Sequence, residues 1–170
     1  GSIQVYYGNG RGKTTAALGL GIRAAGVGKQ VIMVQFLKKK HSDTLDFLKK
    51  LEPELQIFRF EKAACGYSDL SPKEKQEQML NIKNALGYSR KVLDTGQCDL
   101  LILDEIFGLV DYNIITIEEL MDLIAVKKDS MDLILTGRNL PDEVREIADC
   151  VYSIQREKEK TPEILAQGNF

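Results

Sequence analysis

The 170-residue sequence predicts one α/β domain over residues 1–170, a three-layer sandwich around a mainly parallel sheet of about six strands. Three observations carry this prediction. Short apolar runs alternate with helix-like stretches from end to end, which favours parallel pairing through right-handed crossovers. The apolar runs show little polar alternation, the pattern of strands covered on both faces. No internal repeat, low-complexity stretch or linker divides the chain.

IQVYY (3–7) reads as the first strand, and the glycine-rich stretch after it leads into a helix reaching about Ala25. QVIMVQF (30–36) is the second strand, residues 42–51 a short helix and LQIFRF (55–60) the third strand. The loop EKAACGYSDL then precedes Ser71-Pro72-Lys73-Glu74: a capping serine, a proline at the first helical position and a glutamate at the third. A long helix starts there and runs to about Thr95, ahead of Gly96. DLLILDE (99–105) is the fourth strand. Thr116-Ile117-Glu118-Glu119 is a second capping box, opening a helix to about Val126. MDLILTG (131–137) follows as the fifth strand, then a helix over 141–148 and a sixth strand, CVYSIQ (150–155). Residues 156–170 read as a polar, irregular tail, and Gly1-Ser2 as an expression scar.

Composition narrows the function classes. The chain is 44% hydrophobic and 28% charged with a net charge of −2, so no basic field marks it for nucleic acid or an anionic membrane. No apolar run approaches the roughly 18 residues of a membrane span, and a strand beginning at Ile3 does not read as a secretory leader. Cys65, Cys98 and Cys150 are odd in number, far apart and without a C-x-x-C pair. They read as reduced thiols of a cytoplasmic protein.

Residues 6–19, YYGNGRGKTTAALG, nearly match the phosphate-binding template G-x-x-x-x-G-K-[ST]. Tyr7 stands where the template has its first glycine; Gly8 comes one step late and Gly10 is extra. A strand before and a helix after supply the right setting. Glycines let successive backbone N–H groups turn around an anion at a positive helix end. Lys13 adds a mobile cation, and the Thr14 hydroxyl suits Mg²⁺, with Thr15 a second hydroxyl beside it. Asp104-Glu105 ends a buried apolar strand, where carboxylates meet a magnesium-bound phosphate. Arg138, ending the fifth strand, either contacts a phosphate oxygen or caps the next helix. Cys65 and Tyr67 lie in the third-strand loop, either a lid or a loop packing its own tyrosine. His41, the single histidine, and Lys38 to Lys40 read as a solvated run. In a parallel α/β sheet the glycine loop, Gln35 to Lys38, Asp104-Glu105 and Thr136 to Arg138 all fall at strand carboxyl ends, so they are expected to converge. The chain has neither a nucleophile–base constellation nor a His/Cys metal cluster, which leaves the protein to supply phosphate binding, metal and positioning.

These residues carry a resemblance. The stretch Y-x-G-N-G-x-G-K-T-T-A-A-L-G, then R-A-A-G-x-G-K and V-x-x-V-Q-F-L-K, with L-L-I-L-D-E-I, T-I-E-E-L and L-I-L-T-G-R-N, resembles the P-loop corrinoid adenosyltransferases over roughly residues 3–155. The displaced glycine is itself a trait of that family. The resemblance implies a RecA-like P-loop fold, ATP as substrate with Mg²⁺ (Mn²⁺ an alternative), and transfer of the 5′-deoxyadenosyl group to the Co(I) of a corrinoid, releasing triphosphate. It implies a homodimer and a flavoprotein reductant as partners, and a nucleotide reversed relative to ordinary P-loop ATPases. By motif, Gly8, Asn9, Gly10, Arg11, Gly12, Lys13 and Thr14 would form the triphosphate loop with Thr15 adjacent, Glu105 the metal carboxylate supported by Asp104, and Arg138 a neighbour of the nucleotide. Lys13, Thr14 and Glu105 would carry catalysis.

The corrinoid half departs from the family pattern. There an aromatic phrase after the third strand closes over the corrin ring. This chain has no Trp, and Cys65-Gly66-Tyr67 occupies the stretch, with Tyr67 as substitute. The tail lacks the family's lysine–histidine phrase. Two other functions stay open on the sequence: a RecA-like ATPase using Glu105 to orient water, and a nucleotide- or corrinoid-binding module without catalysis.

Overall fold

The computed structural model describes residues 1–39, 43–62 and 70–160. In chain order the elements are β1 (Ile3–Tyr7), α1 (Lys13–Gly26), β2 (Val31–Lys39), α2 (Asp43–Leu48) with a 3-10 turn over Lys49–Leu51, β3 (Leu55–Lys62), α3 (Pro72–Thr95), β4 (Leu100–Asp104), α4 (Ile106–Asp111), α5 (Ile117–Ala125), β5 (Asp132–Gly137), α6 (Asp142–Ile147) and β6 (Cys150–Ser153). The six strands form one sheet in the order β3-β2-β4-β5-β1-β6. Every pairing is parallel, so the sheet is more uniform than the expected mainly parallel one.

Alternation along the strands builds the three layers. Val31, Met33, Leu100, Ile102 and Ile134 turn to one face and bury against Ala17, Leu18 and Ala24 of α1. Ile32, Val34, Phe36, Leu101, Leu103, Leu133 and Leu135 turn to the other, where residues from α3, α4, α5 and α6 cover them. All five residues of β4 are buried, as are five of the six in β5. Both faces are covered, which is why these strands read as unbroken apolar runs.

The caps form as the sequence dictates. Ser71 accepts from Glu74 N–H at 3.2 Å to start α3, and Gly96 closes it at φ 66°. Thr116 and Glu119 bond reciprocally at the start of α5. Two expectations are corrected. Glu105 lies outside β4, at φ 64°, and α4 follows it at once where no element was expected. The stretch I-F-G-L-V after Asp104-Glu105 is apolar all round because α4 is buried at Ile106, Phe107, Gly108 and Leu109, and such a run does not separate helix from strand. β2 also extends beyond Phe36, with a bulge at Leu37 (φ 57°) between paired residues Phe36 and Lys38.

Cys98 is buried in the larger core cluster and donates to Leu100 O at 3.3 Å. Burial pushes its thiol up to about 11 from 9.0. A folded value above the unfolded one means the unfolded chain loses its proton first, so stability present below about pH 9 is lost as pH rises towards about 11. Denaturant midpoints measured across that window are expected to fall more steeply for wild type than for Cys98→Ala. Parallel curves would refute this.

Candidate functional site

The carboxyl ends of β1, β4 and β5 meet at one sheet edge, where the N-terminus of α1 also lies. β5 sits between β1 and β4, with Tyr7 in register with Gly137 and Leu103 with Leu135. One residue beyond Leu103 is Asp104, wholly buried and bonded by three hydroxyl or amide side chains. Thr14 Oγ1 is 3.0 Å from both its oxygens, Thr136 Oγ1 donates to Oδ1 at 2.7 Å, and Gln35 Nε2 donates to Oδ2 at 3.3 Å. A buried carboxylate requires such donors. Thr136 in turn accepts the Glu105 N–H at 2.8 Å.

That last bond pins Glu105 in the left-handed region, where a non-glycine residue carries about 1–2 kcal/mol of strain. Strain of this kind collects at functional sites. Here it ends β4 abruptly and leaves Glu105 half-buried at the head of α4. Thr14, Asp104 and Thr136 are thus joined directly, and Glu105 through its backbone.

The glycine loop is rebuilt around the chain that leaves β6. Gly8 N–H is shared between the carbonyls of Gly137 and Arg138, at 3.2 Å each, and Gly10 N–H donates to Ile154 O at 2.9 Å. Ile154 N–H returns to Tyr7 O at 2.7 Å, and Asn9 Oδ1 accepts the Arg156 N–H at 3.2 Å. Gly8 has φ 130°, and a Cβ there would lie 2.2 Å from Ile154 O. The late glycine therefore stands where the loop presses on the strand-6 exit, while Tyr7 remains an ordinary strand residue paired to Gly137. The Gly8 and Gly10 amides thus point at protein carbonyls. Gly12 (φ 105°) makes the turn into α1, and Lys13 Nζ donates to Gly10 O at 3.0 Å.

Tyr7 is anchored sideways. Its hydroxyl accepts from Arg145 Nη2 at 3.2 Å, and the guanidinium carbon lies 5.4 Å from the ring centroid. This bond from Arg145 holds the phenol below its ordinary value. Arg11, Thr15 and Arg138 are exposed, with Arg138 contributing its carbonyl to the Gly8 bond. Tyr67, Cys65 and His41 lie outside the described residues. The sequence reading missed three participants. Thr136 and Gln35 stand at the sheet edge in the sequence without an evident role, and nothing in the sequence around Arg59 marks its bond to Gln35 Oε1. The available signal was a polar side chain inside an otherwise apolar strand.

A family model described as ATP:corrinoid adenosyltransferase BtuR/CobO/CobP matches residues 1–167. The corrinoid adenosyltransferase of Escherichia coli (strain K12) is 30% identical over 155 residues, covering 91% of this chain and 76% of the relative. The corrinoid adenosyltransferase CobA of Salmonella typhimurium is similar to the same extent, 30% over 155 residues with 91% and 76% covered. That of Pseudomonas aeruginosa is 24% identical over 152 residues, 89% of this chain and 73% of its own.

Proposed function

This chain belongs to the ATP:corrinoid adenosyltransferase family, and from that premise we propose that residues 8–14 grip the triphosphate of ATP while its C5′ carbon faces the corrinoid. The enzyme transfers the 5′-deoxyadenosyl group of ATP to Co(I) of a corrinoid substrate. Cobalt supplies the electron pair of the new cobalt–carbon bond. The C5′–O bond breaks, and its electrons leave with inorganic triphosphate. The reaction as written removes no proton, so it asks no general base of the protein.

The observation that carries the assignment of the site is the contact between Thr14 and Asp104. It joins the first turn of α1 to the end of β4 directly behind the glycine loop. The donor set fits a hard cation: a hydroxyl and two neighbouring carboxylates, all oxygen. Mg²⁺ is usually bound through one or two carboxylates and takes its other ligands from phosphates and water. Thr14 and Glu105, with Asp104 behind, would hold Mg²⁺ or Mn²⁺, and the bound ion would neutralise charge on the leaving triphosphate. Lys13 stabilises the same charge, and the loop amides and helix end orient it. Arg138 neighbours the nucleotide. Among the described residues no helix is long and apolar enough to cross a membrane. We place the protein in the cytoplasm, as a homodimer served by a flavoprotein reductant.

The test is product identity. Protein, Mg·ATP and chemically reduced cobalamin, mixed anaerobically, are expected to yield triphosphate and a light-sensitive cobalt–carbon bond in equal amounts. ADP and phosphate released without corrinoid would instead identify an ATPase.

A further inference from the structure

Arg59, Gln35 and Asp104 stand abreast in one row of the sheet. Gln35 on β2 is the register partner of Arg59 on β3 and of Asp104 on β4. Their side chains are linked along the row. Arg59 donates Nε–H and Nη2–H to Gln35 Oε1 at 3.2 and 3.1 Å, and Gln35 Nε2 donates to Asp104 Oδ2 at 3.3 Å. Gln35 is 5% exposed in a strand otherwise apolar from Val31 to Leu37. A polar group there is costly unless both ends of its amide are bonded.

The two neighbours decide which way the amide faces. A guanidinium only donates and an ionised carboxylate only accepts. Reversing the amide would set oxygen against Asp104 and NH₂ against Arg59, exchanging attractive contacts for repulsive ones. Arg59 therefore fixes the donor face that Gln35 turns to Asp104, while Thr136 holds the other carboxylate oxygen. A carboxylate's last torsion is otherwise soft. Held from both sides, Asp104 accepts the hydrogen bond that the Thr14 hydroxyl donates, so any further bond of that hydroxyl presents lone pairs. That is the state a cation requires of it.

The geometry points to Gln35 and Arg59 as positioning residues for the divalent cation of the triphosphate site, acting through Asp104 on Thr14. This rests on the reading of Thr14, Asp104 and Glu105 as the metal site. Neither Gln35 nor Arg59 touches the reacting atoms.

Titration of the intact chain with Mn²⁺ in the presence of ATP, followed by electron paramagnetic resonance, tests it. Gln35→Met keeps the side chain's length without its amide and is expected to weaken Mn²⁺ binding about tenfold, the size seen when bonds supporting a metal ligand are lost. Arg59→Met is expected to cost about threefold, in line with one net hydrogen bond. Arg59→Lys, which still donates to Oε1, is expected to recover most of that. ATP binding in EDTA is expected to stay at the wild-type level in all three, a result that general disruption would not leave standing. Wild-type Mn²⁺ affinity in both methionine variants, or metal-free ATP binding that falls in step, overturns the proposal. Should Gln35→Met fail to fold, the half-exposed Arg59→Met decides alone. If wild type binds no Mn²⁺ with ATP, the metal-site reading itself fails; if wild type binds and only the variants are indifferent, this inference alone fails.

Discussion

Lys13→Ala is expected to lower kcat for adenosyl transfer by about 10²–10³-fold, the usual loss when one preorganised donor to a developing anion is removed. Lys13 is the first residue of α1, where the helix end already favours negative charge. Its ammonium turns back to Gly10 O at 3.0 Å, so the cation is folded into the loop proposed to receive the triphosphate. Charge grows on that group as the C5′–O bond breaks. An ammonium there stabilises the transition state more than bound ATP, so kcat is expected to fall further than KM rises. The side chain is only half-buried, so the fold is expected to tolerate its loss. Lys13→Arg is expected to rescue poorly, since a planar fork does not replace a point charge in so tight a turn. Triphosphate release and cobalt–carbon bond formation, followed anaerobically, measure the effect. Undiminished kcat would remove Lys13 from the mechanism.

What the sequence made legible follows from where each signal is local. The start of α3 could be read from Ser71-Pro72-Lys73-Glu74 and that of α5 from Thr116 to Glu119, because a cap is written within four residues. β4 and β5 were legible because burial on both faces leaves unbroken apolar runs. Convergence of the glycine loop with Asp104 followed from strand ends in a parallel sheet. α4 was hidden, since Ile106 to Leu109 are buried on every side and carry no helical stripe.

The bonds around Asp104 were hidden for another reason. Whether Gln35 neighbours Arg59 or a residue one step away depends on register, and a slip of one would turn every side chain to the opposite face. Neither strand's own sequence records that choice. The αL turn at Glu105 escaped too, as its N–H acceptor, Thr136, lies 31 positions along the chain. Tyr7 and Gly8 show the same limit within the loop. The sequence revealed that a glycine had moved, but the carbonyl that explains the move belongs to Ile154.

Gly8→Ala is accordingly expected to destabilise the protein by about 3 kcal/mol, the sum of strain at positive φ and a lost hydrogen bond with room for displacement of the neighbour. For a domain of this size that is a fall of roughly 6–12 °C in unfolding temperature. The added methyl would begin 2.2 Å from Ile154 O, a backbone atom, so no side-chain rotation relieves it. Either the loop lifts or the β6 exit yields, and in both cases the 2.9 Å bond from Gly10 N–H is strained or broken. Activity is expected to drop about 10²-fold as well, since displacement by about an ångström degrades an aligned displacement reaction to that degree. The double variant Tyr7→Gly/Gly8→Ala separates this explanation from a general need for glycine in the loop. It restores the common template spacing, yet it leaves the clash with Ile154 and removes the Tyr7 contact to Arg145. It is therefore expected to be no more stable than Gly8→Ala in thermal unfolding. Recovery towards wild type would show that the phosphate loop requires glycine only somewhere in its first turn, and that the contact with the β6 exit does not fix its place.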